Sequence, residues 1–361
     1  MTEALLTFAA PIFEVDGEVH DELTRDIQRL EIEETTAGLR TLSACWVAQG
    51  ATPDSSEQRL LYLDGAILDF GKKISVTLGA APSACRVFSG WISALEVSHQ
   101  EAHEPEVVAF AEDGLMKLRM TRRMKTYTDV TDADIVAAIA SEHGLTPATD
   151  ADGPSHDVVQ QWNQSDLAFL RERAARIQAE IWIDDTTLNF KSRDRRSGTE
   201  LTLVAGNHLI ALRARADLAH QRTRIHVSGY DASTRDTIDE DAGPDAIQAE
   251  IESGRSGPEI LQRAFGERVS YRVREAALKS GEASAWARAE MLRRARRFVV
   301  VSGTTRGSAE MVVGSKVTLD RTGAPFDGPG YYVTRIRHTY DLVNGLRTHF
   351  DAERPTLQEG A

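Results

Sequence analysis

Residues 311–355, MVVGSKVTLDRTGAPFDGPGYYVTRIRHTYDLVNGLRTHFDAERP, follow the run RRFVVVSGTTRG at 296–307. An Arg-rich helical stretch leads into a strand from Phe298, then a Gly-bounded strand, GSKVTLD. Next come a GYYVTRIRH strand and a strand carrying G-x-R-T-x-F. Strand character thus runs from Phe298 to Glu353. Working backwards, residues from Ile260 to Arg297 read as mainly helical, with Trp286, Ala289, Leu292 and Ala295 as a later apolar stripe. Ser233 to Pro258 is acidic and Gly-punctuated, the composition of an exposed loop. Before it, TELTLVAG, HLIALRARAD and RTRIHVSGYD are strand-like again. This order describes a β-domain over 199–240 and 298–361, split by an acidic loop and helical insertion at 241–297.

The first 118 residues are also strand-like. GKKISVTLG alternates, with Ile74, Val76 and Leu78 on one face and Ser75 and Thr77 on the other. RLEIEE sets Leu30 and Ile32 against Arg29, Glu31 and Glu33, and LRTLSACWV, RVFSGWISALEVS and EVVAFAEDG continue the series. Asp16-Gly17 and Asp64-Gly65 are turn signals. Short strands at regular spacing suggest a sandwich or barrel, and a barrel leaves no open edge. Residues 119–198 form a small α/β unit. There Thr131-Asp132-Ala133-Asp134 has capping-box form, Ile135, Val136 and Ile139 recur at helical spacing, and Gly144 is a C-cap candidate. A second helix spans about Ser165 to Gln178, and EIWIDDTTLNF reads as a hairpin. FSGWISALEVS from Phe88 can be laid over GYYVTRIRHTY from Gly330, so that Ile92 meets Val333 and Leu95 meets Ile336. A shared apolar pattern over eleven residues does not by itself establish a duplication.

The 361 residues suggest two to three domains, and 41% hydrophobic with 27% charged residues is a globular composition. No run approaches the ~18 apolar residues of a membrane span, and the N-terminus lacks a basic signal start. Synthesis in the cytoplasm is the expectation, with no membrane insertion. Cys45 and Cys85 form no C-x-x-C and read as buried free thiols. A net charge of -13 argues against bulk nucleic-acid binding.

Nucleophile-elbow, dinucleotide, phosphate-loop and zincin motifs are absent. His99-Gln100-Glu101-Ala102-His103-Glu104 is the best metal candidate, but it lies between a strand and Pro105 and reads as a polar turn. His338 and His349 sit on adjacent strand-like runs, where packing or surface roles are commoner than a shared ligand. A hydrolase site would have to draw on Asp166, His156 and Asp184, whose spacing matches no template. The basic runs Arg119–Lys125 and Arg293–Arg297 lack the interleaved aromatics of a nucleic-acid surface. No catalytic, cofactor-binding or metal residue is assigned, and no cofactor is expected.

Three stretches carry a family resemblance: TDADIVAAIASEHGL; HDVVQQWNQSDLAFLRERAARI, with Gln160 or Gln161, Ser165, Asp166, Phe169 and Leu170; and GSKVTLD…GPGYYVTRIRHTYD…GLRTHF. In this order the chain resembles the phage late-control D family, the baseplate hubs of contractile tails and contractile injection systems. The resemblance implies an α+β, mainly β fold. It has two tube-type antiparallel β-barrels (1–118; 199–240 with 298–361), an α/β domain between them (119–198) and a helical insertion in the second. It further implies a non-enzymatic homotrimer that adapts a sixfold inner tube to a threefold spike. Partners would be the inner tube protein or tube initiator and other baseplate components, within an assembled particle. The hub part of valine-glycine repeat spike proteins is similar, but this chain stops about eight residues after its last strand, so a separate spike protein is the expectation. The rival reading is a particle-associated carbohydrate- or peptidoglycan-binding β-protein, which rows of exposed aromatics would favour. Aromatics make up only 6% of the chain, and most sit in apolar-patterned runs.

Overall fold

The computed structural model describes residues 10–52, 55–79, 84–151 and 153–358. The apolar opening at 1–9, read as running into the first strand, lies outside them. The N-terminal part contributes β1 (Ile12–Val15), β2 (Ile27–Thr35), β3 (Thr41–Val47), β4 (Lys73–Leu78), β5 (Cys85–Ser98) and β6 (Glu106–Glu112). The Asp16-Gly17 turn follows β1, both residues at positive φ, as a tight hairpin turn requires. Trp46 anchors the core beneath, edge-on to Phe13 at 5.3 Å and donating Nε1–H to the Leu23 carbonyl at 2.9 Å.

The α/β unit holds β7 (Arg122–Thr131), α1 (Asp132–Glu142), β8 (Thr146–Asp150), β9 (Ser155–Ser165), α2 (Asp166–Ile177), β10 (Ala179–Asp184) and β11 (Thr187–Ser192). Strand β7 pairs with β9, while β11 pairs with β8 in parallel and with β10 in the expected hairpin. The capping box is present: Thr131 Oγ1 accepts from Asp134 N at 3.3 Å, and Asp134 Oδ2 accepts from Thr131 N at 2.8 Å. Thr131→Ala removes one of those acceptors, and the expected outcome is a loss of about 1 kcal/mol in urea unfolding.

The C-terminal part holds β12 (Glu200–Val204) and β13 (Leu209–Ala216). A separate three-stranded sheet with its helices follows, and it takes in residues 224–240, read from the sequence as part of the split β-domain, as well as much of 241–297: β14 (Arg224–Asp231), β15 (Asp236–Ala242), α3 (Gly257–Phe265), β16 (Val269–Ala277) and α4 (Ser280–Arg296). The chain then returns with β17 (Val299–Thr305), β18 (Lys316–Asp320), β19 (Gly328–Asp341) and β20 (Gly345–Arg354). Two expectations change here. The acidic stretch from Ser233 is no plain loop: Ile238 and Ile247 are buried and fasten a strand and a 3-10 helix (Pro244–Glu250) to the body. The stretch from Ile260 is not continuously helical, because β16 pairs in parallel with β14 between the two helices. Cys45 is buried, but Cys85 is only half-buried, and both are free thiols.

The mainly β reading holds, and one sheet of thirteen strands runs through both β parts. Its central order is β13-β17-β20-β19-β2-β3-β6-β5, with β4 and β1 beyond β5. Strand β1 makes no pairing with β2 among the described residues, and β12 meets β13 at one bridge, Ala205–Leu209. The halves share a single ladder, joined where β19 pairs antiparallel with β2, from Arg335↔Thr35 to Asp341↔Arg29.

That ladder contains a repeat. The order β2-β3-β6-β5-β4 matches β13-β17-β20-β19-β18. In each half a 14-residue strand pairs first with one neighbour (β4 or β18), then bends and pairs with another (β6 or β20). The bulge lies between Ile92 and Ala94 in one half and between Val333 and Arg335 in the other. This is the same superposition that the apolar pattern suggests, now fixed by backbone pairing.

Between the halves and the α/β unit lies a buried ionic network. Glu34 Oε2 accepts from Arg40 Nη2 at 2.6 Å and its Oε1 from Arg196 Nη2 at 2.5 Å. Arg196 Nη1 reaches Glu180 Oε2 at 3.2 Å, and Tyr332 donates its hydroxyl to the same oxygen at 2.8 Å. Arg193 bridges Glu180 and Glu353 and lies over the Tyr332 ring. The network ties β2, β10, β19 and β20 together.

Candidate functional site

The eight-stranded ladder ends in two open edges. Strand β13 pairs with β17 on one side, and among the described residues its other side meets only Ala205, at the single bridge to Leu209. Strand β5 gives one edge to β6, and its other edge to β4 only as far as Trp91. From Ala94 to Ser98 no strand among the described residues takes that second edge. In the other half the equivalent stretch of β19 is where β2 joins. Unpaired N–H and C=O groups on such edges are ready to pair with another strand. Large apolar side chains are exposed on both: Ile210 on β13 and Val97 on β5.

The two edges differ in charge. Strand β13 exposes Arg213 and Arg215, and Arg215 is paired with Asp217. Arg213 has no ion-pair partner among the described residues. Next to β13, a groove of about 600 Å3 is lined by Arg213, Arg215, His220, Arg293, Arg294 and Arg297, with Asp217 as its carboxylate. Sequence reasoning found Arg293–Arg297 but not the two arginines that the sheet brings beside it from about eighty positions away. Arg293 and Arg294 are held by Glu290, and Arg296 by both oxygens of Glu250. The β5 edge exposes Glu96, again with no ion-pair partner among the described residues.

The other sequence candidates have structural partners. The Arg119–Lys125 run is largely neutralised: Arg119 pairs with Glu112, and Arg123 and Lys125 share Glu142. Asp166 accepts from His143 and Gln161 and is ion-paired with Arg123. His156 lies between Glu282 at 2.6 Å and Arg173 at 2.6 Å, with Asp132 at 3.9 Å, joining α4 of the insertion to the α/β unit. Asp184 accepts from Trp182 and Asn189. The three hydrolase candidates thus belong to separate sets. His338 is buried against Thr348 Oγ1, and burial holds its pKa down at about 4. His349 reaches Thr304 and Thr339 instead. Among the described residues no group of three His, Cys, Asp or Glu is placed to hold a metal, the His99–Glu104 turn included. No helix is long and apolar enough to cross a membrane. Exposed aromatics sit on separate elements: Phe70, Trp162 on β9, Tyr230 on β14, Phe265 on α3 and Tyr271 on β16. They form no row.

One protein family, described as the Alg8 N-terminal domain, has a model that matches residues 48–341, a span covering most of both repeats. The chain belongs to the Alg8 N-terminal domain family. The family that matches therefore carries a different description from the late-control D resemblance of the motifs. No curated protein matches this family member in sequence. Solved structures share its fold. The 43 kDa tail protein of prophage MuSo2 from Shewanella oneidensis aligns at TM-score 0.68 and 14% identity, covering 96% of this chain and 98% of that one. A tail protein from Neisseria meningitidis MC58 aligns at TM-score 0.65 and 11% identity, over 96% of each chain. The E. coli c3393 protein, described as a component of the type VI secretion system with structural similarity to the T4 bacteriophage tail proteins gp27 and gp5, aligns at TM-score 0.54 and 13% identity. It covers 91% of this chain and 73% of that one. This family member thus shares its mainly β fold with these solved structures.

Proposed function

We propose that the chain is a structural hub of a contractile tail or injection machine, of the late-control D type. Copies join head to tail into a ring between an inner tube and a spike, and the protein performs no turnover. The observation that carries this reading is the repeated half-sheet with its open ends. Each neighbour in the ladder is antiparallel, and eight strands is an even number. A second copy's β13 placed against β5 therefore continues the alternation. The joint between copies then repeats the joint within the chain, β19 against β2. Heterologous contacts of this kind close into rings when the rotation allows. Three copies present six half-sheets, which suits a sixfold tube above and a threefold spike below.

The stagger supports closure. Along the ladder Arg213 is level with Ser302, Asp351, Arg335 and Thr35. Its counterpart in the other half, reached through the equivalent pairs, is Glu31, four residues from Thr35. Four residues over four strands is one residue per strand. With ~3.3 Å per residue and ~4.8 Å between strands, that tilts the strands by about 35°, as in closed barrels.

The fold likeness to tail proteins and to a type VI secretion component supports the same reading. Light scattering after size exclusion, across a concentration series, tests it: a three-chain mass against the 39.7 kDa monomer is expected. Val97→Lys with Ile210→Lys sets charge on both open edges, and a monomeric particle with an unchanged melting temperature is the expected outcome. A monomer that stays monomeric when tube and spike proteins are added would overturn the ring.

A further inference from the structure

The register of the joint between copies can be read from the joint inside the chain. Ala94 and Arg335 follow the matched bulges and pair with Phe110 and Asp351. Those pair with Ser43 and Ser302, and these in turn with Glu31 and Arg213. The β2 residues Glu31 and Glu33 therefore correspond to Arg213 and Arg215 on β13. The β19 residue Arg337 corresponds to Glu96 on β5.

Inside the chain, Arg337 stands opposite Glu33, and its guanidinium lies 3.9 Å from the diagonal Glu31. Arg335 makes two hydrogen bonds to Glu33, at 2.8 and 3.0 Å. At the open edges the signs are exchanged: acid on the β5 side, base on the β13 side.

We propose that β5 of one copy pairs with β13 of a second copy in this register, with Glu96 opposite Arg215 and diagonal to Arg213. We also propose that the reversed charge dictates which edge joins which. This rests on the ring reading above, and it adds the partner residues and the rule of assembly. Directly opposed unlike charges favour a strand pair, and like charges oppose it. A β13 edge offered to β19 in the same register would set Arg215 against Arg337, with Arg213 diagonal to Arg337. A β5 edge offered to β2 would set Glu96 against Glu31 and Glu33. Both wrong joints are repelled, so the two half-sheets must alternate around the ring and a half-sheet of one copy cannot displace its own partner in another. This is discrimination by a repulsive element as well as an attractive one. It also gives a role to Glu96 and Arg213, which have no ion-pair partner among the described residues, and a second partner to Arg215, which pairs with Asp217 within the chain.

The test is a charge swap on the full chain. Glu96→Arg, Arg213→Glu with Arg215→Glu, and the combination of all three are compared with the parent by light scattering and melting temperature. Each half-swap is expected to raise the concentration at which the oligomer dissociates by about tenfold or more, while the combination restores it. An oligomer indifferent to the half-swaps, or a combination that fails to recover, overturns the charge-coded register and leaves the ring standing. A second measurement covers a parent that dissociates on dilution. Val97 is placed opposite Ala214 of the next copy, as His338 is opposite Ile32 within the chain. Val97→Cys with Ala214→Cys should form an intermolecular disulfide on oxidation, while the parent, with Cys45 and Cys85 alone, should not. A parent that is monomeric at every concentration and a pair of cysteines that never cross-links would overturn both the register and the ring.

Discussion

Arg196→Met is expected to cost about 3–5 kcal/mol of stability, read as a drop in the urea midpoint. Arg196 is almost fully buried. One of its nitrogens holds Glu34, which is 2% exposed, another holds Glu180, and its guanidinium lies 4.5 Å from the Trp182 ring centre. Removing the cation leaves Glu34 to Arg40 and Glu180 to Arg193 and Tyr332, so the network of Glu34, Glu180 and Glu353 holds one carboxylate more than it has arginines, and an uncompensated buried charge is among the most damaging changes a core can suffer. The site also joins three parts of the chain, so hydrogen exchange should quicken at β10 and at the Thr36–Arg40 turn together. If Glu180 is replaced by Gln in the same variant, most of the loss should be recovered, because Glu34 and Glu353 then balance Arg40 and Arg193 and the Gln oxygen still accepts from Tyr332. A loss confined to a few tenths of a kcal/mol would show that water reaches the network.

Two buried groups should pull stability in opposite directions as the pH falls. Burial lowers the His338 pKa from 6.5 to about 4, aided by the Arg40 charge. Burial raises the Asp113 pKa from 3.8 to about 6, against the lowering effect of bonds from the Arg40 and Leu115 amides. As pH falls from 6.5 to 4, the unfolded chain takes a proton on His338 that the folded chain refuses, and about 3 kcal/mol is lost. As pH falls from 6 to 3.8, the folded chain takes a proton on Asp113 before the unfolded chain does, and about 3 kcal/mol is gained. The two contributions run in opposite directions over nearly the same window. His338→Asn, which keeps a nitrogen or oxygen near Thr348, should make the protein gain stability between about pH 7 and pH 4.5. Asp113→Asn should make it lose stability over that range. Parallel urea curves at the two pH values measure both slopes, and equal slopes in parent and variants would contradict the assignment.

What the sequence reveals depends on how local the physics is. The Thr131 capping box, the Ser165 start of α2 and the Gly144 stop are legible because side chain and backbone partner lie within four residues. The β4 alternation is legible for the same reason. Strand β15 is not legible because a lone Ile238 in an acidic run has no period, although its side chain is buried in the cluster with Trp286 and Met291 of α4. Strand β16 was absorbed into its helical neighbours, and parallel pairing with β14 is a contact across some forty residues. Net charge per window misled in both directions. Arg119–Lys125 looks basic but shares Glu142 and Glu112, while Arg213 and Arg215 look unremarkable until the sheet sets them at an edge. The repeat is legible only in part, since an apolar pattern can be shared by unrelated strands, whereas a bulge at one matched position in each half cannot be read from composition.

The continuous ladder also has a mechanical meaning. Its hydrogen bonds run across the strands, so a pull along the strand direction loads every bond of a joint at once. A pull across the strands opens the same bonds one after another. The β19–β2 joint, seven residue pairs long from Arg335 to Asp341, is therefore stiff against shear and weak against peeling. A force transmitted lengthwise meets the sheet in its strong direction, and a subunit can still be stripped away from the side.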